Sequence, residues 1–222
     1  MALINFGDFD MLDEYFKNST EFAERLNSIN ITKLMVEAMP SCGEFFVNKC
    51  WWHTKYYNCC TLFEFQRTEY GFCYSFNSET SDIHIKNVNK FEFTYELDSS
   101  RPRRTSTSGK RGGLRLTVNL PPKEVSNIIE DDFILVTSPY SFPMVGSDIP
   151  AGSSAQVLLS AKTTKPTPQV RGLSSDRRHC LFRDEGKALG KPKYFHTNCL
   201  AECHRESAYE YCNCTPYFYP NE

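Results

Sequence analysis

Ten cysteines in 222 residues carry most of the chemistry this sequence could perform. Cys42, Cys50, Cys59 and Cys60 crowd into one stretch, Cys73 stands by itself, and Cys180, Cys199, Cys203, Cys212 and Cys214 gather towards the C-terminus. Thiols grouped this way serve as disulfide staples, zinc ligands or nucleophiles. For a nucleophile, the pairs His179-Cys180 and Cys203-His204 are the candidates, but catalytic partners meet through the fold and seldom along the chain. The sequence also has no Gly-x-Ser-x-Gly elbow, no His-Glu-x-x-His, no phosphate-binding glycine loop and no dinucleotide fingerprint. It reads as a protein that is not an enzyme and calls for no cofactor.

Zinc is the stronger rival. Cys199, Cys203, Cys212 and Cys214 with His196 or His204 offer four thiols within one helix and its exit, although no Cys-x-x-Cys pair is present. Cys42, Cys50 and Cys59 with His53 lack the tight paired spacing of zinc ligands, so stapling is favoured there. A zinc-binding interaction domain stays as one alternative.

The number of cysteines exceeds what a reducing cytosol usually holds and points to an oxidised, extracellular protein. Three sequons agree, at Asn18, Asn30 and Asn213. Charge excludes little, because 25 basic and 27 acidic residues nearly cancel. Arg101, Arg103, Arg104, Lys110 and Arg111 make one basic stretch, but it has no aromatic residue for stacking on bases, so no nucleic-acid partner is expected. Arg101-Pro102-Arg103-Arg104 has the form that furin-like proteases read, in an expected exposed loop over 98–112. No signal peptide and no span of about 20 apolar residues occurs. An oxidised body with no visible export route is expected to be a piece of a longer membrane protein, either an incomplete gene model or an excised product.

The elements that position these residues follow from periodicity. Leu12, Tyr15, Phe16, Phe22, Ala23, Leu26 and Ile29 recur at helical spacing, which predicts two helices within 11–39, the second over 32–39 and stopped by Pro40. Residues 61–77 read as two strands. In the second, Tyr70, Phe72, Tyr74 and Phe76 point one way, and Gly71, Cys73, Ser75 and Asn77 the other. Further strands are expected at 91–97, 113–120, 133–137 and 156–162. Phe133-Ile134-Leu135-Val136 is a continuous apolar run, which predicts the most central strand. Asn198 or Thr197 is a fitting cap for a helix running to about Tyr211.

Three motifs in order carry a resemblance. Tyr70-Gly71-Phe72-Cys73-Tyr74-Ser75-Phe76-Asn77 resembles the extracellular signature of the degenerin and epithelial sodium channel family, its Ser75 variant leaning towards the insect pickpocket branch. Gly113-Leu114 followed by an alternating strand is similar to what comes after that signature. Cys199-x-x-x-Cys203 leading to Cys212-x-Cys214 and Phe218-Tyr219-Pro220 resembles the first helix of the family's thumb.

The resemblance implies an α+β fold: a mainly antiparallel β core (palm and β-ball), an N-terminal helical finger and the start of a thumb. The chain then divides into a cysteine-rich finger part at 1–60, a palm and β-ball core at 61–175, and a truncated thumb at 176–222. It implies the extracellular portion of a ligand-gated or mechanically gated, amiloride-sensitive-type sodium channel subunit in the plasma membrane. The partners would be other subunits of a trimer and, in the full-length pore, the sodium ion. A secreted disulfide-rich binding module derived from such an ectodomain is the other alternative.

In the family, cysteines like Cys180, Cys212 and Cys214 bond to residues further along, yet only eight residues follow Cys214 and none is cysteine. The resemblance therefore implies that Cys180, Cys199, Cys203, Cys212 and Cys214 lack partners here. The pairs that form are expected among Cys42, Cys50, Cys59, Cys60 and Cys73, with Cys50 to Cys59 or Cys60 the first choice.

Overall fold

The computed structural model describes residues 29–47, 49–81, 101–105, 107–119, 132–149, 152–160, 162, 164–191 and 193–220. The expected first helix, the strand at 91–97 and the sequon at Asn18 lie outside them. The chain forms two compact units, 1–39 and 40–222. In the first, α1 (Ile31–Ala38) begins where the Asn30 side chain accepts the Lys33 N–H at 2.9 Å. It stops because Met39, which precedes Pro40, is forced into extended backbone.

The second unit opens with α2 (Cys42–Phe45), where the Glu44 carboxylate accepts from the Ser41 N–H at 2.9 Å and its hydroxyl at 2.7 Å. These bonds to Ser41 hold the Glu44 carboxyl below its usual range. Strands β1 (Lys49–Trp52) and β2 (Lys55–Asn58) pair antiparallel around His53 and Thr54, both at positive φ as a two-residue hairpin turn requires. The short helix α3 (Cys59–Leu62) starts on the Asn58 side chain, which accepts the Cys60 N–H. Next come β3 (Phe63–Thr68) and β4 (Gly71–Phe76), an antiparallel hairpin with Phe63 opposite Phe76 and Thr68 opposite Gly71.

Residues 40–81 share one core. Phe46, Cys50, Cys59 and Leu62 are buried among Phe45, Trp52, Phe63, Tyr74 and Phe76. Phe46 meets Phe63 at 4.5 Å between ring centroids, and Trp52 meets Phe76 edge-on at 4.9 Å. Tyr74 and Phe76 of the alternating strand therefore face this core, while Tyr70 at its start is exposed. The short helix α3 packs on β1, β2 and β3 within this core.

Residues 113–119 keep the expected alternation, with Leu114, Leu116 and Val118 packed on that core and Arg115 and Thr117 exposed. They make isolated bridges, Trp51 to Arg115 and Phe46 to Val118, in place of a continuous strand. The reason is that they lie against β1 and the end of α2 in turn, whose backbones do not form one straight edge.

Strand β5 (Asp132–Leu135) pairs antiparallel with β6 (Gly146–Ile149). Two expectations fail here. The apolar run is not central, since Ile134 is 36% and Val136 49% exposed, so the elements that would cover both its faces are not among the described residues. Residues 156–160 form no strand and leave Leu158 83% and Leu159 75% exposed, because an extended segment becomes a strand only beside a partner edge. Of the four strands expected in one core, two lie in separate antiparallel pairs, one makes isolated bridges and one forms no strand; the fold is α+β, with sheets of two strands each among the described residues.

The C-terminal part holds two single-turn helices, α4 (Pro168–Arg171) and α5 (Ser175–Arg178), then α6 (His196–Cys212). A second core gathers Phe142, Leu189, Ala201, Phe218 and Tyr219 around α6. The helix starts earlier than expected, at Phe195, with no side-chain cap. Asn198 is engaged elsewhere: fully buried, it accepts the Phe142 N–H at 2.7 Å and donates to the Tyr140 carbonyl at 3.0 Å.

Candidate functional site

The cysteines sort by burial. Cys50 is bonded to Cys59, at 0% and 1% exposure, and Cys42 to Cys60, so β1, α2 and α3 are stapled across the first core. Cys73 is a free, half-buried thiol on the opposite face of β4 from Tyr74; burial pushes its pKa up, with the Thr68 hydroxyl nearby working the other way. Cys180 and Cys203 are free and exposed, and Cys199 is free and half-buried.

Cys212 and Cys214 depart from the expectation that neither has a partner in this chain, because they are bonded to each other. Asn213 sits between them in the left-handed conformation that ends α6, and this turn brings their Cα atoms to 5.2 Å. The pairing also removes both from any four-thiol zinc site with Cys199 and Cys203, and among the described residues no group of three or more His, Cys, Asp or Glu side chains is arranged to hold a metal ion. Of the sequons, Asn30 is the exposed cap of α1, and Asn213 lies exposed inside the Cys212 to Cys214 ring.

The two cores meet at the tip of the β3–β4 hairpin. Arg67 reaches from β3 to donate to the carbonyls of Tyr217 at 2.9 Å and Tyr219 at 3.2 Å. One oxygen of Glu69, in the turn, accepts the Tyr219 hydroxyl at 2.8 Å and lies 3.1 Å from His204 Nδ1 on α6. Burial, then the hydrogen bond and charge of Glu69, push the Tyr219 hydroxyl pKa up. Phe72 stacks on Tyr217, and a side chain in place of Gly71 would meet the Tyr217 hydroxyl at 3.4 Å. The hairpin tip and the segment leaving α6 are thereby tied at three points. His204 is turned to Glu69, which gives it a role unrelated to a thiol nucleophile.

The basic loop is not simply solvated. Arg101 lies against β3, donating to Glu64 at 2.9 and 3.2 Å, to Glu79 at 2.9 Å and to the Ser78 carbonyl at 2.6 Å. Burial opposes the charge of this guanidinium, but the bonds and charges of Glu64 and Glu79 outweigh it and raise its pKa. Arg103 donates to the Leu62 carbonyl at 3.2 Å and covers the Phe76 ring, while Arg104 is exposed. Arg101 and Arg104 are exposed as expected of the loop over 98–112, but Arg101 is also held by Glu64 and Glu79, and Arg103 is half-buried on the Leu62 carbonyl and the Phe76 ring.

The model of the family described as amiloride-sensitive sodium channel matches residues 4–222. The chain belongs to that family. Among similar members are the sodium channel protein Nach of Drosophila ananassae, 25% identical over 94% of this chain and 39% of its own length, and pickpocket protein 19 of Drosophila melanogaster, 27% identical over 99% and 43%. Pickpocket protein 11 of the same fly is 26% identical over 90% of this chain and 34% of its own length. The chain thus spans about two fifths of the length of the curated relatives it matches. No solved structure gives a significant match. Family members similar to this chain are named as channel proteins and not as enzymes. No helix among the described residues is long and apolar enough to cross a membrane.

Sequence reasoning missed the hairpin junction. Nothing in Glu69 or His204 signals it, since the two are separated by 135 positions and His204 stands in the sequence beside the thiol of Cys203, not a carboxylate. The Arg101 clamp had only a weak signal, in Glu64 on the polar face of an alternating strand.

Proposed function

We propose that this chain is extracellular substance of a plasma-membrane sodium channel subunit, gated by a ligand or by mechanical force and assembled with other subunits, as a trimer, around a sodium-conducting pore. The observation that carries the reading is the family match across residues 4–222, joined to an aromatic core held by two buried-to-half-buried disulfides, which an oxidising compartment sustains. In this reading residues 1–60 belong to the finger, 61–175 to the palm and β-ball, and 176–222 to the thumb. The junction of Arg67, Glu69, His204 and Tyr219 then ties the thumb helix to the signature hairpin, so that displacement of one displaces the other. Asn18, Asn30 and Asn213 are the glycan acceptors.

The test is expression of the complete subunit with an epitope inserted in the exposed residues 153–160. Antibody labelling of intact, unpermeabilised cells together with an amiloride-blocked sodium current is the expected result. Labelling only after permeabilisation would overturn the extracellular placement. Release of the labelled protein into the medium, without current, would favour the secreted module.

A further inference from the structure

We propose that the loop closed by Arg183 and Tyr194 is a docking site for a sulfated polysaccharide, held by four cations that have no carboxylate partner among the described residues. The loop is a closed unit. At its base the Tyr194 N–H donates to the Arg183 carbonyl at 2.9 Å, and at its tip the Lys191 N–H donates to the Ala188 carbonyl at 3.0 Å. The tip turns this tightly because Leu189 and Gly190 both adopt positive φ. It is also anchored: Ala188 is 1% exposed, Leu189 belongs to the second core, and a side chain in place of Gly186 would lie 3.1 Å from the Tyr194 ring. With Ala188 and Leu189 turned inwards, the loop presents Arg183, Lys187, Lys191 and Lys193 to solvent.

Charge decides the partner. The loop has two carboxylates, Asp184 and Glu185, and each is taken by an arginine from outside it, Arg171 of α4 and Arg178 of α5. Glu185 accepts the Phe182 N–H as well, at 2.8 Å. The loop's own four cations are thereby left uncompensated among the described residues. Two of them are held in place by rings. Arg183 lies over Phe195 at 4.9 Å, Lys193 over Tyr140 at 5.2 Å, and the two rings stack on each other at 5.7 Å. A cation over a ring keeps N–H donors for an anion and gives up in advance some of the rotamer freedom that binding would cost. The same arrangement disfavours other polyanions. Nucleic-acid bases need open ring faces to stack on, and these rings are engaged with the cations and with each other. An acidic protein segment draws affinity from an apolar pocket or a free strand edge, whereas the apolar residues of this loop are buried. A chain of repeated sulfate groups needs only a rigid set of exposed cations, and binds them by charge and by release of counter-ions.

The inference rests on the extracellular reading only for where such a polysaccharide is met, and binding by the purified chain tests it separately. The probe is a heparin decasaccharide, titrated at several salt concentrations into the 222-residue chain and into Lys187→Gln/Lys191→Gln, a pair that leaves the ring stack intact. Lys49→Gln/Lys55→Gln removes the same charge from β1 and β2 and is the control. The loop pair is expected to bind about tenfold more weakly, with the slope of log affinity against log salt reduced by about one for each lysine, and the control to match wild type within about twofold. Lys187→Arg/Lys191→Arg keeps the charge and is expected to keep the affinity; a loss equal to that of the glutamine pair would overturn the charge argument. Equal losses in the loop and control pairs, or no binding by wild type, would overturn the site. An oligonucleotide or an oligoglutamate of matched charge that binds as tightly as the decasaccharide would overturn the choice of a sulfated polysaccharide.

Discussion

The two cores of residues 40–220 are held by different means. The first is cross-linked inside itself: Cys50 and Cys59 are buried among the rings they staple, and the segments they join are close in sequence. The second, around Phe142, Ala201, Phe218 and Tyr219, assembles segments far apart in the chain and has no disulfide within it. Polar side chains do that work, with Asn198 binding residues 140–142 to α6 and Arg67 binding the segment after α6 to β3. A short staple lowers the entropy of the unfolded chain without needing a large core, whereas distant segments need bonds that only the folded state supplies. The first core is therefore built to hold its shape, and the second to depend on a few contacts.

Removing bonds from each core separates the two modes of support. Cys50→Ala/Cys59→Ala is expected to cost about 3 kcal/mol, the loop-closure value for so short a ring together with the buried cavity. Cys212→Ala/Cys214→Ala is expected to cost about 1 kcal/mol or less, since the exposed ring closes over one residue and lies outside both cores. Chemical denaturation of both variants checks this, and similar losses would show that burial of the staple is irrelevant.

On the other side, Asn198→Ala should cost about 2 kcal/mol, because it leaves the Phe142 N–H and the Tyr140 carbonyl without their partner. Hydrogen exchange is the informative measurement. Amides of α6 are expected to lose protection while those of β1 and β2 keep theirs; uniform loss would mean that the two cores unfold as one.

A smaller effect than at Asn198 is expected at Tyr74, whose hydroxyl donates to the Pro40 carbonyl at 2.8 Å. Burial, and then the negative charge of Glu44, push its pKa up to about 12 from 10.0. The unfolded chain therefore ionises first, so stability present below pH 10.0 is lost as pH rises through about 12. Tyr74→Phe should cost about 1 kcal/mol at neutral pH and fall less steeply than wild type over that alkaline window. Urea midpoints at two pH values measure it. Tyr217 and Tyr219 of the second core are also raised, so the comparison rests on the difference between variant and wild type. Equal slopes would place the alkaline sensitivity in the second core.

Features whose partners are near in the chain are legible in the amino-acid order. The cap and end of α1 followed from Asn30 and Pro40, the facing of Tyr74 and Phe76 from alternation, and the membership of the chain from three spaced motifs. Local periodicity and backbone sterics suffice for these. The tertiary structure alone decided which oxygens Arg101 meets, that Asn198 is a buried tie and not a cap, that Glu69 joins His204 and Tyr219, and that Phe133 to Val136 does not form a central strand. An apolar run records that a segment can be covered, but not by what. A carboxylate or an amide records that it can bond, but its partner is selected by a fold that brings residues more than a hundred positions apart within 3.1 Å.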